Sequence, residues 1–268
     1  MRIVCATQHS AEWMQARTFV VTASRMGDAS ARYETDRKGQ WVKGDWKAAH
    51  WNYVSELAWE GITGVCAEHY VSKPMEIGTQ YEGEARVEYW LRTGNEVEQT
   101  GFVLHPRLNY LGSSPDGLVN PDGGIEIKVP LFKTHCSYLE SGEIPQEYKL
   151  QMYTNMLCCE RKWWDFVSYC PPDIAPELPD EFRMFKKRLE ADQTMFDAIE
   201  EAATVTMQHV AERMETLRRM YPAKGAPKSK LNVELEAALR AQEASDVDVN
   251  DFTGSAYEFL DDNLAGVP

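Results

Sequence analysis

The chain has no apolar run near the roughly 18 residues a membrane-spanning helix needs, so a bilayer-spanning role is not expected. Its start, MRIVCATQHS, lacks the charged-then-apolar layout of an export signal. A cytoplasmic location is the expectation, the host cytoplasm if the chain is phage-encoded. The six cysteines show no C-x-x-C spacing, which disfavours a zinc or iron–sulfur site and leaves buried free thiols. None of the six histidines forms a ligand-spaced set, so none is assigned to catalysis. Basic residues are scarce: 28 Lys and Arg face 42 Asp and Glu, for a formal net charge of −14. That balance runs against the usual electrostatic footprint of a nucleic-acid binder. It is compatible with one only if acidic residues line a divalent-cation site and any DNA path is locally basic. Arg25, Arg32, Arg37, Lys38, Lys43 and Lys47, interleaved with Tyr33, Trp41 and Trp46, supply a candidate path. An ordinary solvated loop explains the same stretch equally well.

What is present points to one large domain over 1–222 and a separate tail over 223–268. With 268 residues, 43% of them apolar, the chain can bury one substantial core. Apolar spacing predicts helices over about 48–59, 78–91 and 147–159, and Thr93-Gly94-Asn95 stops the second. Short strand-like runs fall near 100–104, 118–120 and 124–129, with a returning strand over 163–169. From Phe182 to Tyr221, apolar residues recur at helical intervals, including Phe185, Leu189, Phe196, Ile199 and Val210. That pattern predicts one long helix or a broken pair, ended by Pro222. Beyond it, AKGAPKSK reads as a linker. After Leu231 come nine acidic side chains and only Arg240 as a base, with a short helix plausible near 231–244.

The chemistry concentrates in SSPDGLVNPDGGIEIKVP at 113–130. Asp116 is expected at the end of one strand, with Glu126 and Lys128 at alternate positions of the next, so that three side chains share one side of a small sheet. Ile125, Ile127 and Val129 then point the other way, into a core. Hard carboxylate oxygens suit Mg²⁺ or Mn²⁺, and a lysine supplies a point charge for a water or a phosphate. Phosphodiester hydrolysis is the chemistry this set can do. An acid near a turn followed by E-x-K is also a common exposed strand pattern. Glu82 on an upstream helix, Pro115-Asp116, the turn glycines, the apolar alternation and Gln151 on a downstream helix come in an order that resembles that of the PD-(D/E)xK nucleases, and this resemblance raises the motif above chance.

The chain resembles the lambda-exonuclease-like (YqaJ-type) phage recombination nucleases of the PD-(D/E)xK class. Four blocks carry the resemblance: EWMQARTFVVTAS at 12–24, GTQYEGEAR at 78–86, the 113–130 run, and YKLQMYTNM at 148–156. They span roughly residues 12–170. The resemblance implies an α/β fold, a restriction-endonuclease-like αβββαβ core whose central mixed β-sheet is flanked by helices, with a long C-terminal helical region. It implies Mg²⁺-dependent 5′-to-3′ degradation of double-stranded DNA to leave 3′ single strands, and a homotrimer ring around DNA. By matching position it casts Asp116, Glu126, the Ile127 carbonyl and Glu82 as metal-holding groups, Lys128 as the catalytic lysine, and Gln151 as an amide near the nucleophile. Arg17, Ser24 and Ser114 match a pocket for the terminal 5′-phosphate. Arg17 also reads as a surface ion pair and Ser24 as a helix N-cap. Trp13 is expected to pack beneath Arg17. Lys73 and Met75 fall where a basic residue and an apolar wedge are expected, though a surface loop is the safer reading. The tail, with Phe252, Tyr257, Phe259 and Leu260 among acids, suits a single-strand annealing protein as partner or serves only to solubilise. A catalytically silent DNA-end-binding protein and an endonuclease on the same fold are the competing expectations.

Overall fold

In the computed structural model, the described residues are 1–5, 7–8, 10–35, 41–43, 45–67 and 73–222. The expected α/β architecture is present as two mixed sheets flanked by helices. The chain opens with β1 (Arg2–Cys5), α1 (Ala11–Arg17), β2 (Val21–Thr22), α2 (Met26–Ala29), β3 (Tyr33–Thr35) and β4 (Trp41–Lys43). Two long helices follow, α3 (Ala48–Thr63) and α4 (Lys73–Thr93). Next come β5 (Val97–Glu98), β6 (Phe102–Leu104), β7 (Leu111–Ser113), β8 (Gly117–Val119) and β9 (Gly123–Lys128). The chain continues through α5 (Phe132–Ser141), α6 (Gln146–Cys159), β10 (Trp163–Tyr169), β11 (Met184–Glu190) and α7 (Gln193–Met220).

The larger sheet runs β11-β10-β9-β8-β5, and its one parallel pairing joins β9 to β10. The smaller runs β1-β6-β7-β2, with β2 and β7 parallel. Strand β9 is buried on both faces, and alternation divides them by chemistry. Ile125, Ile127 and Val129 pack with Ala85 and Tyr89 of α4 and with Val167 and Tyr169 of β10. Glu126 points to the other face, where α6 lies. Gly123 and Gly124 sit opposite Trp163 and Trp164 in register. A Cβ on either would come within 2.1 or 2.2 Å of an indole, so these glycines make room for the tryptophans of the neighbouring strand. The sequence places Gly123 in a turn and Gly124 where that turn enters the strand run 124–129, and the room both make for tryptophan is not legible there.

Helix α7 starts where the Asp192 carboxylate accepts the amides of Thr194 and Met195, an N-cap that satisfies two otherwise orphaned donors. Its buried stripe of Met195, Ala198, Ile199, Ala202, Thr206, Val210 and Met214 follows the helical period and closes on α3, α2 and α6. The long C-terminal helix is therefore present, but it begins later than expected. Phe182 ends a 3-10 turn (Asp180–Phe182), and Phe185 and Leu189 lie on β11, paired antiparallel with β10. Residues four apart satisfy a period of two as well as one near 3.6, so their spacing could not separate strand from helix. The expected helices near 48–59, 78–91 and 147–159 are present and somewhat longer, as α3, α4 and α6. Helices α1 and α5 and the strands β1 to β5 and β7 were not anticipated. Among the described residues no helix is long and apolar enough to cross a membrane. The helix expected near 231–244 lies outside the described residues.

Candidate active site

Asp116 is not on a strand, as the sequence suggested, but in the link between β7 and β8, one residue ahead of β8. Its Oδ2 accepts the Ile127 amide at 2.6 Å, which draws the carboxylate against β9. Lys128 Nζ donates to Glu126 Oε1 at 2.5 Å and lies 4.9 Å from the Tyr148 ring of α6. Glu126 is fully buried, and its Oε2 accepts Asn155 Nδ2 at 3.0 Å. Gln151 stands one helical turn before Asn155, which puts it on the face of α6 turned toward Glu126. On α4, Glu82 is ion-paired with Arg86, whose guanidinium also donates to the Asp116 carbonyl at 3.3 Å.

The electrostatics follow from this crowding. Burial first, and then the charges of Glu126 and Glu82, push the Asp116 carboxyl well above the usual carboxylate range, against the pull of Lys128 and the Ile127 amide. Burial alone would lower the Lys128 ammonium, but the Glu126 and Asp116 carboxylates overcome it and hold that pKa above its ordinary value. Three carboxylates, Asp116, Glu126 and Glu82, face two cations, Lys128 and Arg86, so the site's formal balance is negative by one, and its donors are hard oxygens, the chemistry that suits a divalent cation. Among the described residues no three such side chains converge closely enough to hold a metal ion. The reason is visible: Asp116 is turned to the Ile127 amide, Glu126 to Lys128 and Asn155, and Glu82 to Arg86. Donor chemistry and charge excess fit the ion; the side chains would have to reorient to bind it.

A second cluster lies on the smaller sheet. Ser114 Oγ accepts from Arg17 Nη1 at 2.9 Å and from Trp13 Nε1 at 3.0 Å. The Arg17 guanidinium lies 4.2 Å from the Trp13 ring, so Trp13 packs under the arginine as expected and also fixes the serine. Ser24 is exposed, in the 3-10 turn Ala23–Arg25 that continues β2. Because β2 pairs in parallel with β7, Val21 opposite Leu111 and Thr22 opposite Gly112, Ser24 and Ser114 emerge at the same ends of neighbouring strands. The N-cap role considered for Ser24 is not what the fold uses: Thr22 precedes the 3-10 turn and Arg25 precedes α2. Nor is Arg17 a surface ion pair: it is half-buried, donates to Ser114 and lies over the Trp13 and Phe102 rings. Arg17, Thr22, Arg25, Tyr53, Glu56 and Glu60 line a cleft there.

Other expected residues are placed less favourably. Arg25 is spent on Asp28 at 2.6 Å and Glu56 at 2.9 Å, which weakens the basic path from Arg25 to Lys47. Residues 36–40, including Arg37 and Lys38, lie outside the described residues. Lys73 and Met75 fall at the start of α4, and the placement of their side chains lies outside what is described. Asn155 and Arg86 were missed. The only signal for them was spacing, each one helical turn beyond a residue that had been singled out, Gln151 and Glu82.

A mixed sheet with an acid ahead of one strand, E-x-K on the next, and helices carrying Glu82 and Gln151 defines a nuclease-type α/β core. Comparison with known proteins narrows the class. The model of the YqaJ-like viral recombinase domain matches residues 12–162. The chain is 34% identical to LHK-Exo, solved in complex with dAMP, over 79% of this chain and 97% of that one, with a TM-score of 0.68. The alkaline exonuclease LHK-Exo from Laribacter hongkongensis matches at the same identity and coverage, with a TM-score of 0.67. A phage-related exonuclease from Haemophilus somnus 129PT shares the fold at 13% identity, covering 74% of this chain and 96% of that one, with a TM-score of 0.57. No curated protein sequence matches. The chain belongs to the YqaJ-like viral recombinase domain family, which supports a nuclease role in recombination.

Proposed function

We propose that the chain is a Mg²⁺-dependent 5′-to-3′ exonuclease of double-stranded DNA that resects ends to 3′ single strands for annealing-type recombination. The observation that carries this reading is the meeting of Asp116, Glu126 and Lys128 at the start of β8 and the end of β9, with Ser114 two residues from Asp116. Two residues of extended chain span at most about 7 Å, which is the order of one nucleotide step. An end phosphate held at Ser114 would thus leave the next phosphodiester near Asp116. The complex of LHK-Exo with dAMP, a nucleoside monophosphate, is consistent with a mononucleotide product.

Each side chain then has a task. Asp116, Glu126, the Ile127 carbonyl and Glu82 would hold Mg²⁺, with Mn²⁺ able to substitute; when bound, the ion polarises a phosphoryl oxygen and acidifies a water. Lys128, kept protonated by its carboxylate neighbours, donates to charge developing on the phosphate. Gln151 offers an amide from α6 to orient the attacking water. Arg17 presents a guanidinium to the 5′-phosphate, stacked on Trp13 and therefore pre-organised. Ser114 already accepts two hydrogen bonds, so its hydroxyl proton is available to a phosphate oxygen. Ser24 completes that pocket, and Lys73 and Met75 would meet the parting strands. Processive action would follow from a homotrimer closed around DNA, and the annealing of the product from a single-strand annealing partner.

Digestion of linear duplexes bearing 5′-phosphate or 5′-hydroxyl ends, with Mg²⁺ or EDTA, tests this. The expected result is release of 5′-mononucleotides from phosphorylated ends in Mg²⁺ alone, with Lys128→Ala slower by about 10²–10³. Equal rates on both ends would remove the role given to Arg17, Ser24 and Ser114. Full activity of Lys128→Ala would remove the catalytic reading.

A further inference from the structure

Asn155 is fully buried on α6 among Met152, Thr154, Met156 and Cys158, all of them buried too. A site so enclosed favours an apolar side chain. It holds an amide whose Nδ2 donates to Glu126 Oε2 at 3.0 Å and whose Oδ1 has no hydrogen-bond partner among the described residues. An unmatched buried carbonyl is a cost to folding that an isosteric leucine would not carry. The donor end of the amide is what the position supplies. Glu126 is likewise fully buried, and its two oxygens are divided: Oε2 is held back toward α6 by Asn155, and Oε1 is turned to Lys128.

We propose that Asn155 is a positioning residue that sets the rotation of the Glu126 carboxylate and so decides which oxygen reaches a metal ion. The inference rests on the reading of Glu126 as a metal-holding carboxylate. Without the amide, the last torsion of Glu126 is restrained by Lys128 alone, and carboxylate and ammonium can collapse into a closed pair that competes with the ion. Groups that orient a ligand in this way typically change metal affinity or activity by about 10–100-fold when removed.

The experiment uses the full chain with Asn155→Leu, Asn155→Ala and Glu126→Gln, each followed by Mn²⁺ calorimetry, duplex digestion and thermal melting. Leucine nearly conserves volume, whereas alanine keeps the helix but leaves a cavity, so a packing role would separate the two and spare leucine. The positioning role predicts that both weaken Mn²⁺ binding about equally, by roughly tenfold or more, and lower kcat while the KM for DNA stays unchanged. Wild-type Mn²⁺ affinity in the folded leucine variant, or a loss confined to alanine, would overturn the proposal. Should Asn155→Leu not fold, wild-type Mn²⁺ affinity in Asn155→Ala would overturn it as well. Glu126→Gln separates this inference from the one beneath it. If that variant binds Mn²⁺ and cleaves DNA like the wild type, the metal-site reading itself fails; if it loses both while Asn155→Leu loses neither, only the role of Asn155 falls.

Discussion

At the scale of single residues, the groups that titrate abnormally mark two different kinds of place. Asp116 and Lys128 are perturbed by burial, by each other and by Glu126, in the cluster proposed as the active site. His50 is perturbed by burial, at a joint between helices. Its Nδ1 lies 3.0 Å from the Ala29 carbonyl and must therefore donate to it, so Nε2 is the acceptor for His209 Nδ1 at 2.8 Å. Trp46 stacks on His50, with ring centroids 4.0 Å apart. Burial, with the nearby His209 and Arg32, holds the His50 pKa down at about 4. The unfolded chain takes up that proton near 6.5 and the folded one does not, so stability present above about pH 6.5 is lost as pH falls toward 4. The slope for one such group is at most about 1.4 kcal/mol per pH unit. Urea unfolding between pH 7 and 4 should show this loss, and His50→Asn, which keeps a donor for Ala29, should flatten it. An unchanged pH slope would mean that other groups account for the acid limb. Spacing of histidines in the sequence disclosed none of this, because the two rings meet through α3 and α7, 159 positions apart.

Among the elements, β9 does most to place the site, and its alternation is why so much of the site could be read in advance. Glu126 and Lys128 are two residues apart, and a strand puts such residues on one side whatever the rest of the fold does. Asp116 was legible as a participant but not as a loop residue, since P-D-G fits a strand end and a turn equally well. Phe185 and Leu189 misled because their spacing suits helix and strand alike. The partners supplied by other elements, Asn155 from α6 and Arg86 from α4, depend on how helices dock on the sheet, which periodicity does not encode. The Gly124–Trp164 contact exposes β9 to a direct test. Gly124→Ala would place a Cβ 2.2 Å from the Trp164 ring in a fully buried layer, so β9 must shift away from β10. Overpacking of this kind costs about 1–3 kcal/mol, and because Glu126 lies two residues on, activity should fall more steeply than stability. Chemical denaturation beside the digestion assay checks both. A variant as stable and as active as the wild type would show that the indole yields instead of the strand.

For the molecule as a whole, the proposed activity requires that a chain of net charge −14 gather DNA. Arg25 is neutralised within the fold, Arg17 lies in a cleft shared with Glu56 and Glu60, and the site itself is acidic. On the proposed reading, attraction to phosphate would come largely from bound divalent ions and from the few basic groups close to the strand, against a surface of like charge. If the proposed site takes up the ion, binding also stabilises the folded state. At a concentration about 100 times its dissociation constant, an ion that binds only the native form adds about 2.7 kcal/mol. In a chain of this size that raises the melting temperature by roughly 5–10 °C. Melting with and without Mg²⁺ should show that rise in the wild type and none in Asp116→Asn, which should melt higher than wild type in EDTA because it removes a buried, repelled carboxylate. Among the described residues, the buried cluster that includes α7 reaches no further than Met214. Deleting 223–268, the segment set apart on composition, should therefore leave both the melting temperature and its rise with Mg²⁺ unchanged. Loss of the Mg²⁺ response in that truncation would place part of the ion's site in the tail and redraw the domain boundary.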